Sequence, residues 1–329
     1  MKLLAFAKKK NVLEDGDVGS RVGGFRPKRF NKSTIQLLVM VSLGIVFVGV
    51  FCYMPMFGVL LAFKDGDGAL DILDAMFSSE WAGFDNFKAF FEDPDFKNVI
   101  LNTLGLNTIM LFINFPAPIV FAILLSELPF KKVRKAVQTI TYFPYFLSWI
   151  TYGGIILALI NSDGIINSIL LATHVVSSPV DIVGSPEYFW PLIIITSLMK
   201  GLGWGSIIYI AAIAGIDPQL YEAARMDGAN RWYRITRITV PMIAPTIILF
   251  LILSISGILN NGFDHIWAFQ NVKNLARSEV LDTFVYKYGV LTQQYSYSTA
   301  VGLFKSVVSI ILLFVGNLVA KKVTGNGII

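Results

Sequence analysis

The most regular spacing of functional residue types lies in a polar stretch in the third quarter of the chain. Glu222-Ala223-Ala224 is followed after three residues by Gly228, and after nine more by Ile238, with Val240-Pro241 one residue beyond. These residue types suit contact with another protein rather than catalysis. The two alanines let a partner surface approach a helix closely, and Glu222 and Arg225 offer charges beside them.

The residues around this spacing predict a short capped helix. Asp217 can accept hydrogen bonds from free backbone N–H groups, and Pro218 suits a first helical turn. Residues 219–227 then form about two and a half turns. Gly228 fits the left-handed conformation that ends such helices. An ordinary loop helix with a solvated face is the alternative that spacing alone leaves open.

Four further polar residues lie in strongly apolar surroundings and could hydrogen-bond a solute that crosses a membrane: Lys200, Lys305, Asn107 and Asn114. A charge at the depth expected for Lys200 costs about 2.5–3.5 kcal/mol, so it should face protein or a water-filled cavity. Lys305 could instead extend towards the outer interface. Asparagine also joins helices inside bundles, so a structural role remains open for both amides.

Signals for catalysis and cofactor binding are missing from the sequence. The chain has no Gly-x4-Gly-Lys-Ser/Thr loop, so we expect no ATP binding through a P-loop. His174 and His265 fall in predicted external regions far apart in sequence, which disfavours a metal site. No nucleophile motif is present, and the single Cys52 cannot form an intrachain disulfide.

Composition predicts an all-α polytopic membrane protein. Apolar residues make up 55% of the 329, charged residues 15%, and the mean hydropathy is +0.64. Six runs are long enough to cross a bilayer: residues 35–63, 99–126, 136–160, 188–215, 241–262 and 299–320. A large soluble helical protein would need a polar face on most of these helices, and most are apolar all round.

The distribution of charge predicts the orientation of the spans. Residues 1–34, 127–135, 216–240 and 321–329 lie on one side and hold nineteen Lys and Arg, against six on the other. The positive-inside rule places that side, and both termini, in the cytoplasm. The basic arm 1–34 is expected to contact anionic membrane lipid rather than nucleic acid. Residues 323–329 form a short cytoplasmic tail.

The stretch YEAARMDGANRWYRITRITVP resembles the EAA loop of permease subunits in type I ATP-binding-cassette (ABC) importers. That pattern is EAA, three residues, Gly, nine residues, Ile, one residue, Leu-Pro, and only Leu is missed, at Val240. The resemblance implies that residues 216–240 form a cytoplasmic loop whose helix docks into an ATPase subunit. It assigns this coupling to Glu222, Ala223, Ala224, Arg225, Asp227, Gly228, Ile238 and Pro241.

Two other regions extend the resemblance to carbohydrate permeases. Trp81–Phe96 with Asn102-Thr103 is similar to the segment joining the first two spans of sugar-type permeases, and we expect one or two interfacial helices there. SEVLDTFVYKYG and YSYSTAVGLFKS resemble the polysaccharide/lipoprotein-type subgroup. Residues 35–322 are therefore expected to form a six-helix permease domain with the type I importer fold, in a bacterial cell membrane.

The resemblance further implies the partners and the function. It implies a second permease subunit in a heterodimer, two ATPase subunits that bind ATP and Mg²⁺, and an external solute-binding protein. The solute would be a carbohydrate, most simply an oligosaccharide. An acidic sugar passing Lys200 is one possibility, and a lysine held by backbone carbonyls or by the partner permease is the other. A membrane-embedded enzyme would need clustered His, Asp or Glu in the spans, and the sequence shows none. A self-sufficient secondary transporter would more often show inverted repeats and acidic coupling residues within the spans, and neither is seen.

Overall fold

The computed structural model describes residues 31–324, in which the regular structure is helical apart from one isolated bridge between Lys64 and Trp81. The arm 1–34 falls almost wholly outside the described residues, as does most of the tail 323–329. The chain divides into two units, Met1–Met56 and Phe57–Ile329. The first contains helix Lys32–Val48, the π-turn Gly49–Tyr53 and Met54–Met56.

The second unit contains all the remaining elements. They are, in order, Phe57–Phe63, Ile72–Ser78, Asp85–Glu92, Phe96–Ile113, Pro116–Glu127, Lys131–Tyr142, Phe143–Phe146, Trp149–Ile160, Ile165–Ala172, Pro186–Ala214, Pro218–Met226, Arg231–Arg234, Ile235–Thr239, Val240–Ser256, Phe263–Phe269, Val272–Asn274, Leu275–Ser278, Leu281–Tyr286, Lys287–Leu291 and Tyr295–Thr324.

Six helical segments within residues 31–324 are long and apolar enough to cross a membrane. We number them as the first to sixth spans: Lys32–Phe63, Phe96–Glu127, Trp149–Ala172, Pro186–Ala214, Arg231–Ser256 and Tyr295–Lys322. The first, second, fourth and sixth agree with the sequence expectation to within four residues at each end. The fifth begins ten residues earlier than expected, because the helix continues back through a π-turn at Ile235–Thr239. It also ends six residues earlier than expected, at Ser256, where Gly257 follows the helix.

The third span lies further along the chain than residues 136–160. The structure breaks that run at residues 143–148, where a tight turn containing Pro144 leads to Ser148, whose Oγ caps the next helix at Thr151 N (3.1 Å). Lys131–Tyr142 is a separate amphipathic helix that begins with four basic residues among five. Proline supplies no backbone donor, so a continuous helix is disfavoured here.

Three clusters of buried apolar side chains form the interior of the second unit. One surrounds Phe90, which is fully buried against Phe284, Tyr297 and Phe304. Part of the aromatic segment expected at the lipid interface is therefore packed inside the protein, in helix Asp85–Glu92. Trp81, from the same segment, remains exposed.

Polar side chains fasten the connecting segments onto the ends of the spans. Asn102 Nδ2 donates to the carbonyls of Ala276 and Glu279 at 3.1 Å, and Thr103 Oγ1 accepts from Leu281 N at 2.9 Å. These bonds satisfy backbone groups that would otherwise be left without partners at buried positions. They fix the segment after the fifth span across the start of the second.

Candidate coupling helix and membrane cavity

The helix Pro218–Met226, here called the EAA helix, begins and ends as its sequence predicts. Asp217 Oδ1 accepts from Gln219 N at 2.9 Å, and Pro218 occupies the first helical turn. At the other end Gly228 adopts φ +78°, and Ala229 N donates to Ala224 O at 2.9 Å. A left-handed residue satisfies terminal carbonyls in this way while turning the chain sharply.

The spaced motif separates into an exposed half and an anchoring half. Glu222, Ala223, Arg225, Asp227 and Gly228 are exposed, and Ala224 is half-buried. Ile238 is half-buried and packs against the cluster of Ile119, Ala122, Tyr209, Ile216 and Ile243, while Pro241 is exposed in the fifth span. The exposed half can meet another protein, because the anchored half holds the loop to the spans.

A polar cleft of about 260 Å³ lies between the EAA helix and the adjoining ends of the second, fourth and fifth spans. Glu222 and Arg225 line it together with Glu127 and Arg234. Arg234 is only 8% exposed, and one of its guanidinium N–H groups donates to Ala229 O at 2.9 Å. Arg234 therefore stabilises the loop from its buried side. The sequence analysis had counted it only as one of the positive charges of the loop.

Two exposed apolar side chains beside the motif were missed by sequence reasoning. Met226 is 88% exposed and Trp232 is 73% exposed, on either side of Gly228. Large apolar groups are enriched at the centres of protein interfaces, so both belong to the candidate docking surface. The signal was present in the sequence as apolar residues within an otherwise polar segment.

A cavity of about 650 Å³ lies among the second, fourth and fifth spans. Asn107 and Asn114 line it, and Asn260, from the segment after the fifth span, is a third amide in its wall. Asn107 Nδ2 donates to Ile258 O at 2.6 Å. Asn114 Nδ2 lies 3.4 Å from Ile194 O, and its Oδ1 has no hydrogen-bond partner. The structure thus brings together two of the four predicted pathway residues.

The rest of the cavity wall is apolar or aromatic. Trp204 and Tyr209 of the fourth span and Phe250 of the fifth are among the lining residues, and none of the lining residues is charged. Amide groups and aromatic faces in a concave site suit a polar, uncharged surface such as sugar hydroxyls and ring faces. The cavity also falls in the size range of about 300–1,000 Å³ typical of ligand sites.

Lys200 lies outside the cavity wall and is held by protein. It is 5% exposed, and its Nζ donates to the carbonyls of Pro144 (3.0 Å), Tyr145 (3.0 Å) and Leu147 (2.5 Å). Of the two sequence-based alternatives for this lysine, the geometry matches the one in which backbone carbonyls hold it.

Lys305 is also partnered within the chain. Its Nζ forms a hydrogen-bonded ion pair with Asp282, whose other carboxylate oxygen accepts from Asn261 N at 2.9 Å. The two side chains are 19% and 15% exposed. Asp282 comes from the segment between the fifth and sixth spans, so it was not visible as a counter-charge when only the spans were considered.

His265 is buried, although the sequence analysis placed it in an external connecting segment. It is 3% exposed, its ring stacks on Trp149 at 3.8 Å, and its Nε2 lies 2.9 Å from Thr196 Oγ1 in the fourth span. The segment after the fifth span, which was expected to be external, therefore packs against the third and fourth spans. No group of three His, Cys, Asp or Glu residues within 31–324 is arranged to hold a metal.

Comparison with known proteins gives consistent matches over most of the chain. The family described as "Binding-protein-dependent transport system inner membrane component" matches residues 96–325. Protein LplB of Bacillus subtilis (strain 168) is 41% identical over 293 residues, covering 89% of this chain and 90% of that protein. From the same organism, the polygalacturonan/rhamnogalacturonan transport system permease protein YteP is 40% identical, covering 89% of each chain.

Solved structures match the fold closely. A chain of a bacterial ABC transporter involved in the import of the acidic polysaccharide alginate aligns with TM-score 0.80 and 34% identity, covering 89% of this chain and 97% of that one. A chain of a bacterial alginate ABC transporter in complex with an alginate pentasaccharide-bound periplasmic protein aligns with TM-score 0.80 and 34% identity, covering 90% of this chain and 98% of that one.

Proposed function

Because the chain belongs to the family of binding-protein-dependent transport system inner membrane components, we propose that it is one permease subunit of an ATP-driven importer of oligosaccharides. The observation that carries the coupling role is the EAA helix, a capped and exposed helix that follows the fourth span after three residues. It offers an ATPase subunit a small-residue face at Ala223, with Met226 alongside. Family membership argues against a self-sufficient secondary transporter.

The assembly would contain a second permease subunit, two ATPase subunits that bind ATP and Mg²⁺, and an external solute-binding protein. The complex of the related alginate importer with its periplasmic protein supports the last of these partners. The cavity among the second, fourth and fifth spans would form this subunit's half of the pathway, with Asn107 and Asn114 hydrogen-bonding the solute. The partner permease, in a heterodimer, would complete it.

We propose an acidic oligosaccharide as the solute. Two relatives support this: YteP is named for polygalacturonan and rhamnogalacturonan, and the solved structure is an importer of alginate. The cavity wall contributed by this chain is uncharged, so its contacts would be to hydroxyl groups and ring faces. Recognition of the acidic groups would then belong to the binding protein or the partner permease.

Orientation follows from the charge asymmetry of the connecting segments. The EAA helix and both termini would lie in the cytoplasm of a bacterial cell, where ATPase subunits can reach the loop. The large-scale cycle would be alternating access, in which ATP binding and hydrolysis by the partners open the cavity to one side at a time. Movement would enter this subunit through the EAA helix.

The test is reconstitution of the full importer in liposomes with internal ATP. Oligogalacturonides, alginate oligosaccharides and neutral maltooligosaccharides would be offered with the binding protein. We expect uptake of an acidic oligosaccharide that requires both ATP and the binding protein, and no ATPase activity from the isolated chain. Uptake driven by an ion gradient without ATPase subunits, or no uptake of any oligosaccharide, would contradict the proposal.

A further inference from the structure

The last turn of helix Lys131–Tyr142 and the break that follows it contact the fourth span at three successive points. The first is Lys200, whose Nζ collects the carbonyls of Pro144, Tyr145 and Leu147. Pro144 O also accepts from Leu147 N at 3.3 Å, and Lys200 supplies it with a second donor. Carbonyls at the end of a helical turn carry a partial negative charge, which a buried cation offsets. Aromatic faces of Tyr145, Trp149 and Tyr152 lie 5.0–5.7 Å from the same ammonium group.

The second and third points lie within the next turn of the fourth span. A Cβ added at Gly203 would come within 2.3 Å of Thr141 O, so the two backbones meet there with no room for a side chain. Trp204 stacks face to face on Tyr145, with ring centroids 4.4 Å apart and an interplanar angle of 4°. Trp204 also lines the cavity, which links this contact to the cavity wall.

The fourth span runs from these contacts to the short connection that precedes the EAA helix. The fourth span ends at Ala214, and Asp217 caps the EAA helix three residues later. At 1.5 Å per residue, Lys200 lies about 21 Å along a single helix from its cytoplasmic end. Lys200, Gly203 and Trp204 belong to one continuous helix and move together with the fourth span, which residues 215–217 join to the EAA helix.

We propose that Lys200, Gly203 and Trp204 form a rigid joint that transmits movement of the fourth span to the start of the third span and to the cavity wall. In this role Lys200 is a positioning residue, and it makes no contact with the solute. A lysine suits the joint because three donors on one flexible stem reach three convergent carbonyls. The inference rests on the proposed function, because it describes how ATP-driven movement reaches the cavity.

The test compares three variants of the reconstituted importer. Lys200→Met removes the donors at similar length, and Gly203→Ala separates the backbones at the neighbouring contact. Gly201→Ala is the matched control, because a Cβ there meets nothing within 4 Å. We expect the first two variants to assemble and hydrolyse ATP while the number of oligosaccharides imported per ATP falls at least tenfold. The control should match the wild type.

An unchanged import-to-hydrolysis ratio in Lys200→Met and Gly203→Ala would overturn the joint. A wild-type complex that imports nothing would instead count against the proposed function, so the two failures are distinguishable. If either variant does not assemble, spin labels at the exposed positions Ile140 and Tyr188, in a Cys52→Ser background, test the joint with all three contact residues intact. A rigid joint predicts that their separation stays constant through the ATP cycle, and a change in that separation would overturn the proposal.

Discussion

Polar residues in the spans acquire their roles from partners that the spans themselves do not contain. Lys305 is matched by Asp282 from a connecting segment, and Lys200 is matched by carbonyls exposed at a helix break. Asn114, in contrast, keeps an amide oxygen without a partner in the cavity wall. A cation in an apolar stretch of sequence therefore needs nearby groups that offset its charge. Only the fold shows whether the protein or a solute supplies those groups.

The Lys305–Asp282 pair should contribute to stability and not to solute recognition. Lys305→Met leaves a carboxylate that is 15% exposed without its counter-charge, and we expect unfolding to become easier by about 3–5 kcal/mol. The double variant Lys305→Met with Asp282→Asn removes both charges while keeping an acceptor for Asn261 N, and should recover most of the loss. Thermal unfolding and uptake would be measured for all four members of the cycle. Recovery of stability without recovery of uptake would indicate a role in transport.

Gly228 should be required for its backbone conformation alone. Its φ is +78°, and a Cβ there would meet no atom within 4 Å, so any effect of substitution arises from local strain. Gly228→Val should cost about 1–3 kcal/mol at this turn and weaken retention of the ATPase subunits. Gly228→Asn is the matched control, because asparagine tolerates the left-handed region. Equal retention of ATPase subunits in the two variants, measured by co-purification, would refute this requirement.

At the scale of elements, the sequence predicted the helical class and the number of spans. It did not predict where a helix is interrupted or which groups hydrogen-bond the buried cations. Apolar length alone located four spans to within a few residues, because a bilayer sets a minimum length for any crossing helix. The prediction of a third span at residues 136–160 was wrong, because the turn at Pro144 interrupts a run that remains apolar on average. The carbonyls that hold Lys200 lie 53–56 residues earlier in the chain, so this contact depends on tertiary geometry, which spacing does not encode.

The start of the sixth span depends on a cap supplied from a distant segment. Asp67 Oδ1 accepts from Ser296 N at 2.8 Å and from Tyr297 N at 3.2 Å. Burial raises the pKa of Asp67 above its usual value of 3.8, and these two hydrogen bonds oppose the shift without cancelling it. The folded protein therefore binds this proton more tightly than the unfolded chain, and the contribution of Asp67 to stability falls as pH rises through its folded pKa.

Two substitutions separate the cap from the charge. At pH 7 Asp67→Asn keeps an acceptor and should be at least as stable as the wild type, whereas Asp67→Ala should lose about 1 kcal/mol. Any advantage of the asparagine variant should shrink as the pH is lowered through the raised pKa of Asp67, because the wild-type carboxyl then becomes protonated. The measurement is the thermal unfolding of the wild type and both variants across this pH range. An advantage that grows on acidification would show that the charged form is the stabilising one.

At the scale of the whole molecule, no charged side chain among residues 31–324 lines the cavity. The connecting segments carry the ion pairs Lys273–Asp181 and Lys287–Glu279, and the cleft under the EAA helix is lined by Glu127, Glu222, Arg225 and Arg234. Between these layers the cavity wall presents three asparagines, aromatic rings and apolar groups. To the acidic oligosaccharide proposed as the solute, this wall offers neither an attracting cation nor a repelling carboxylate.

This arrangement predicts what a new charge in the wall should do. Asn114→Asp places a carboxylate where an unpartnered amide oxygen now lies, so like-charge repulsion should slow acidic oligosaccharides well beyond neutral ones. Asn114→Leu is the matched control, because it removes the hydrogen-bonding amide without adding charge and should slow both classes to a similar degree. Initial rates of oligogalacturonide and neutral oligosaccharide uptake would be compared at equal ATPase activity, each with a binding protein that accepts it. If Asn114→Asp slows both sugars equally, or neither, the solute does not pass this residue and the cavity is not the route.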